Sequence, residues 1–140
     1  EYMVLRLIKD CRKEVIALLQ ERQADIFCVR GNCEAEVDQM VLPFPVLADY
    51  CLLESAGHLI YATHGHHFNE DHLPPLHPGD VLLHGHTHIP RRTLRDGVYV
   101  LNPGSVSIPK AGSWHGYMTL EDGVFTWKTL SGDVRDTLRL

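Results

Sequence analysis

The sequence predicts an α/β domain, on three observations. An amphipathic helical stretch is followed at once by a short apolar run suited to a buried strand. Three strand-like apolar runs each end in a loop carrying Asn or His. Ile26-Phe27-Cys28-Val29-Arg30 runs into Gly31-Asn32-Cys33-Glu34, Leu59-Ile60-Tyr61-Ala62-Thr63 into His64-Gly65-His66, and Val81-Leu82-Leu83 into His84-Gly85-His86-Thr87-His88. From Arg91 onward the chain reads mostly as strands and turns, so the front half is mixed and the back half largely β.

Each element has a local reason. Asp10 is placed to cap a helix running to Arg22, with Cys11, Val15, Leu18 and Leu19 on one face at three- and four-residue spacings. Ile26 to Val29 reads as a buried strand. Residues 41–48 form a Pro-rich connection. Tyr50 to Glu54 and His58 to Ala62 read as a hairpin around Ser55-Ala56-Gly57. Residues 69–80, with three prolines, read as a long polar loop or short helix, and Val81 to Leu83 as another buried strand. Arg91 to Arg95 and Val98 to Leu101 flank Asp96-Gly97, a tight hairpin turn. Asn102-Pro103-Gly104-Ser105 is a turn whose Pro and Gly set an unusual backbone path. Tyr117 to Leu120 and Val124 to Leu130 flank Glu121-Asp122-Gly123 as a second hairpin. Repeats, low-complexity tracts and linkers are absent, which predicts a single domain over residues 1–140.

Bulk properties narrow the function. A chain of 140 residues with 44% hydrophobic and 22% charged residues can bury a core. The longest apolar stretch, Val41 to Ala48, is broken by Pro43 and Pro45, and the first residues show no secretory signal. A formal charge of −5 argues against gripping a nucleic-acid backbone. It remains compatible with a phosphate substrate, because bound metal ions can supply positive charge. Cys11, Cys28, Cys33 and Cys51 form no CxxC pair, so free thiols in a reducing, cytoplasmic setting are expected, with Cys28 a small core residue. The compositional excess is histidine: ten in all, eight of them within the 25 residues from His64 to His88, among them His66, His67, His84 and His86.

Neutral imidazole is a good ligand for borderline divalent metals. In His86-Thr87-His88 an extended backbone would put both rings on one side. A pair of merely packed or surface histidines is the alternative, and it weakens once His64 and Asn32 also stand at strand ends. An HxHxDH site is excluded because Ile89-Pro90 follows His88, and no HExxH motif is present. The cysteines do not cluster as in a structural zinc site. A mixed Asn/His metal site remains.

Gly31-Asn32-Cys33-Glu34, Thr63-His64-Gly65-His66, Gly85-His86-Thr87-His88 and Asn102-Pro103-Gly104-Ser105-Val106-Ser107-Ile108-Pro109 resemble successive motifs of the calcineurin-like metallophosphoesterases, most of all the small bacterial YfcE-type phosphodiesterases. The order agrees, as do the intervals of 32 residues from Asn32 to His64 and 22 from there to His86. The resemblance implies a four-layer α-β-β-α sandwich, two divalent metals and hydrolysis of a small phosphodiester by two-metal catalysis, with ions roughly 3.5–4 Å apart. Mn²⁺ is the first expectation, with Zn²⁺, Fe²⁺, Ni²⁺ or Mg²⁺ as alternatives. It further implies that Asn32, His64 and His86 hold one metal and that His88 contributes to the other. His66 is expected beside the site as a phosphate contact or supporting group, and the Asn102 turn as a support for it.

Two departures stand out. The family's early Asp-x-His and Gly-Asp motifs are absent: Asp10-Cys11-Arg12 is not the first, and Gly79-Asp80 comes too late for the second. The chain therefore reads as a family member lacking its N-terminal β-α-β portion. Cys33 stands where many relatives have a histidine that protonates the leaving group, and the YfcE-type branch is expected to have Cys there. That favours phosphodiesters over monoesters and makes Cys33 a catalytic candidate, with a packed small residue as the equal alternative. Family members are commonly oligomeric. Neither a stable nucleic-acid complex nor a membrane is expected. The competing reading is a non-catalytic protein-binding scaffold of the same fold, as in the retromer subunit, or an incomplete piece that binds one metal weakly.

Overall fold

Eight strands and three helical segments make up the described residues, 13–140, of the computed structural model. The strands are β1 (Tyr50–Ser55), β2 (His58–Thr63), β3 (Val81–His84), β4 (Arg91–Arg95), β5 (Val98–Asn102), β6 (Gly116–Glu121), β7 (Val124–Thr129) and β8 (Val134–Arg139). Three two-residue turns set much of their register. Ala56-Gly57, Asp96-Gly97 and Asp122-Gly123 carry φ of 53° and 80°, 53° and 82°, and 47° and 73°. Positive φ at both central residues is the twist that matches a right-handed hairpin. The expected hairpins β1–β2, β4–β5 and β6–β7 all form, antiparallel.

The first sheet has the order β1-β2-β3-β5-β4 and the second β6-β7-β8. Within the first, β2, β3 and β5 run parallel, with Ile60 opposite Val81 and Val81 opposite Tyr99. Their C-terminal residues, Thr63, His84 and Asn102, therefore reach the same edge of the sheet, where crevices for ligands form in such sheets. Side-chain alternation then assigns two faces. Ile60, Ala62, Val81, Leu83 and Leu101 point toward the second sheet and pack with its Met118, Phe125 and Trp127. Leu82, Val98 and Val100 point the other way, against Tyr61, Leu73 and Leu76, so that part of residues 65–80 covers that face as a loop.

Helix α1 (Lys13–Gln20) buries Leu19, with Val15 and Ile16, against Leu42, Phe44 and Val46. Helix α2 (Glu36–Val41) starts where the Asp38 carboxylate accepts the Ala35 N–H at 2.8 Å. The Gln39 amide links this helix to the following segment. Its Nε2 donates to Phe44 O at 3.0 Å, and its Oε1 accepts the Val46 N–H at 3.0 Å.

Several expectations change. Asp10 and Cys11 lie outside the described residues. Leu18 is 60% exposed while Leu19 is buried, because the contact with Phe44 and Val46 centres on positions 15, 16 and 19 and leaves position 18 off the stripe. Residues 26–30 are extended but belong to neither sheet, and Phe27 is 68% exposed. Among the described residues this segment is joined to the 41–48 connection by the Arg30 N–H to Ala48 O bond of 2.7 Å, and no strand flanks it. Helix α2 and strand β8 were not expected. The outward alternation of β8 is mostly polar, and Val134 is exposed, so its one strong inward anchor, Leu138, left little pattern to read.

Candidate metal centre

The parallel trio delivers its histidines to one point. His64 follows β2 directly and is buried, and the Gly85 N–H donates to its carbonyl at 2.9 Å, tying the β2 and β3 loops together. His64 Nε2 lies 2.9 Å from Asn32 Oδ1 and 3.0 Å from His86 Nδ1. Three potential ligand atoms from three loops thus converge. For a divalent ion with bonds of about 2.1 Å, neighbouring ligands at right angles stand about 3.0 Å apart. The two measured separations fit that spacing. Two imidazole nitrogens and an amide oxygen are a suitable donor set for a borderline ion. No group of three or more His, Cys, Asp or Glu with metal-binding geometry occurs among the described residues, so the amide oxygen is the third member of this set.

The backbone here differs from expectation. His86 and His88 have φ of 65° and 64°, the left-handed region, rather than extended values. Such conformations in non-glycine residues are costly and persist where surrounding bonds over-determine them. Those bonds come largely from Asn102, which is fully buried. Its Nδ2 donates to Gly85 O at 2.7 Å and Thr87 Oγ1 at 3.0 Å, and its Oδ1 accepts the Gly104 N–H at 2.9 Å. The Asn102 carbonyl in turn accepts the Trp127 indole N–H at 2.7 Å, which fastens the site to the second sheet. Gly104, at φ 86°, packs so tightly that a Cβ there would stand 2.9 Å from Pro90 Cγ.

His88 is anchored separately: its Nδ1 donates to Ile108 O at 2.7 Å. A second-shell carbonyl on Nδ1 fixes the tautomer and orientation of the ring, as it commonly does for metal-binding histidines. The Val106–Ile108 stretch that supplies this carbonyl is itself held by Ile108 N–H to Ser105 Oγ at 3.0 Å and by His115 Nδ1 to Val106 O at 2.9 Å.

His66 stands beside the convergent set, its ring centroid 5.2 Å from that of His64 and 6.4 Å from that of His86. Burial, then the nearby His67, His86 and Arg30, hold its pKa below the usual imidazole value, with Asp49 opposing. His84 is buried under Gly65, and burial lowers its pKa as well. Cys33 is exposed next to Asn32.

A cleft of about 60 Å³ opens between Gly31, Glu34, Ala62, His64, Gly85 and Pro103. A Cβ on Gly31 would run into the Glu34 carboxylate. Buried Glu34 Oε2 has no hydrogen-bond partner among the described residues. An orphaned carboxylate oxygen in a cleft shared with His64 is consistent with a cation nearby. Neither Glu34 nor the Asn102 side chain carries a sequence signal strong enough to assign these contacts, since both depend on segments far apart in the chain.

Comparison with known proteins places the chain in a family. Residues 8–122 match the calcineurin-like phosphoesterase superfamily domain. The chain is 42% identical over 113 residues to phosphodiesterase YfcE of Escherichia coli K12, covering 81% of this chain and 61% of that protein. It is 28% identical over 133 residues to a probable metallophosphoesterase, YsnB, of Bacillus subtilis. It thus spans about three-fifths of the length of its YfcE relatives (61%). The solved structure of the E. coli phosphoesterase Yfce superposes with a TM-score of 0.84 at 37% identity, covering 89% of this chain and 69% of that one. Vps29 of Entamoeba histolytica, solved with Zn²⁺, shares the fold with a TM-score of 0.55 at 20% identity, covering 91% of this chain and 76% of that one.

Proposed function

This chain belongs to the calcineurin-like phosphoesterase superfamily, and from that premise we propose that it is a metal-dependent phosphodiesterase. The observation that carries the reading is the convergence of Asn32 Oδ1, His64 Nε2 and His86 Nδ1 at the spacing of adjacent metal ligands. In this proposal Asn32, His64 and His86 hold one ion and His88 contributes to a second. Bound divalent ions supply Lewis acidity and positive charge for a phosphoryl group.

The chain's own residues do the rest. Asn102 holds the Gly85–Thr87 backbone so that His86 meets His64, and Ile108 O sets the His88 tautomer. His66, beside His64 and His86, is placed to donate a ring N–H to an ester oxygen. Cys33, exposed beside Asn32, is assigned to the leaving-group side. The proposed substrate is a small phosphodiester and the proposed metal Mn²⁺. Free thiols at Cys28, Cys33 and Cys51 support a reducing, cytoplasmic setting. A homo-oligomer is part of the same proposal, by analogy with the family. Among the described residues no helix is long and apolar enough to cross a membrane. The scaffold alternative has the shared fold with Vps29 in its favour, whereas the convergent donor set favours the enzyme.

The test is metal content by elemental analysis, together with Mn²⁺ binding and hydrolysis of bis-p-nitrophenyl phosphate by the stripped and reloaded protein and its His86→Ala variant. The expected result is Mn²⁺-dependent turnover, lost in the variant together with at least about tenfold in Mn²⁺ affinity. Equal Mn²⁺ affinity and turnover in both proteins overturns the assignment.

A further inference from the structure

On one flank of the convergent histidines the fold leaves a ring platform that the metal chemistry does not use. β1 is antiparallel to β2, so its first residue, Tyr50, lies opposite Thr63 at the same sheet edge as His64. Tyr50 and Tyr61 stack, with centroids 4.9 Å apart and planes 16° from parallel. Phe68 meets Tyr61 edge-on at 5.9 Å, and Phe68 follows His66-His67, whose rings lie 4.2 Å apart. Tyr50 thus stands at the sheet edge from which His64 emerges, and Tyr61 joins it to Phe68. Tyr50 is 50% exposed.

Polar groups border the same flank. Arg30, two residues before Asn32, pairs with Asp49 at 3.1 Å, and the Asp49 carbonyl accepts the Thr63 hydroxyl at 3.0 Å. Tyr50 directly follows Asp49, so the stacked pair and the ion pair lie side by side at this sheet edge.

We propose that Tyr50, stacked on Tyr61, is a specificity-determining residue that takes a planar aromatic ester arm of the substrate, an aryl group or nucleobase, with Arg30 and Asp49 meeting its polar edge. This rests on the phosphodiesterase reading and names the substrate class within it. An exposed ring already backed by a parallel ring is preorganised for a third, and stacking tolerates many planar groups. A dialkyl phosphodiester would find the ion site but nothing to fill this face.

The experiment measures equilibrium binding to the Mn²⁺-loaded protein of three diesters of equal charge: bis-p-nitrophenyl phosphate, thymidine 5′-methyl phosphate and diethyl phosphate. Binding is read by calorimetry, under single-turnover conditions for any probe that is hydrolysed. Tyr50→Ala is compared with Tyr50→Leu, which keeps apolar bulk without a ring plane and guards against misfolding. The expected result is a preference of about tenfold for planar-armed over diethyl ester that falls to near parity in both variants. The planar probe that loses more identifies the arm. A preference that survives both substitutions, or none in the parent protein, overturns the platform and leaves the functional reading standing. Failure of all three probes to bind overturns the functional reading, and the platform falls with it. Conversion of a dimer to a monomer by Tyr50→Ala in sedimentation would assign this face to a second copy of the chain and overturn the proposal.

Discussion

Replacing Asn102 with alanine is expected to be the most damaging single change near the site that removes no proposed metal ligand. The side chain is fully buried and makes three hydrogen bonds. Truncation strands the buried Gly104 N–H, whereas the Gly85 carbonyl keeps the Thr87 N–H at 2.7 Å. A stranded buried group costs roughly 1–3 kcal/mol. The Thr87 hydroxyl belongs to an exposed residue and can turn to water, so it adds little. With the small void left behind, the loss comes to about 2–4 kcal/mol. For a domain of this size the unfolding entropy is about 0.3 kcal/mol/K, so the midpoint should fall by about 7–13 °C. The assay is thermal unfolding followed by circular dichroism at matched protein and metal concentrations. Mn²⁺ affinity should fall about tenfold or more as well, because the left-handed conformation at His86 loses its support. Asn102→Asp sharpens the argument. It keeps the acceptor for Gly104 but sets an oxygen against Gly85 O, where the amide N–H now sits at 2.7 Å. It should therefore rescue neither stability nor metal binding. A midpoint shift under about 3 °C for the alanine variant, or wild-type behaviour of the aspartate variant, would refute this account of the loop.

Two further predictions follow from titratable groups away from the metal site. The Asp80 carboxylate accepts the Leu59 N–H at 3.0 Å and the His77 N–H at 2.9 Å. Burial, the largest single influence, would raise its pKa, but these two bonds together with the His77 and His58 charges hold it below the usual carboxylate value. A depressed folded-state pKa stabilises above the unfolded value of about 3.9 and loses that contribution as pH falls through the folded value. Asp80→Asn should thus cost about 1 kcal/mol at pH 7, a figure reduced for partial exposure, and the gap between the proteins should close below about pH 4 in urea unfolding. A constant gap down to pH 2 would contradict it. At Cys28, burial and then the Glu34 charge push the thiol up to about 11. Its thiolate fraction at pH 8 is then about one in a thousand, whereas Cys33 is exposed. Iodoacetamide followed by peptide mapping should label Cys33 well before Cys28 in the native protein, and equal rates would rule out the buried placement.

Much of the fold was legible because its signals are local. Asp96-Gly97 and Asp122-Gly123 impose two-residue turns wherever they stand, and the alternation in His58–Thr63 and Val98–Asn102 selects inner and outer faces without reference to distant residues. The same locality explains the misses. Whether Leu18 or Leu19 is buried depends on where Phe44 and Val46 arrive, and whether residues 26–30 form a ladder depends on what lies alongside. Strand β8 owes its place to pairing with β7 rather than to its own weak pattern.

The site divides the same way. The sequence by itself determined the candidate donor types and their spacing, since the Asn, His and His-x-His motifs are read from residue chemistry alone. Only the tertiary structure decided that Asn32, His64 and His86 meet. Parallel pairing of β2 with β3 brings His64 and His86, 22 positions apart, to one sheet edge, and Asn32 joins them from a segment outside both sheets. It also decided that His86 and His88 leave the extended region, because Asn102 and Ile108 O offer hydrogen bonds that only this backbone can reach. No periodicity encodes such long-range partners. They exist once the chain has closed on itself, and the conformations they stabilise exist only with them.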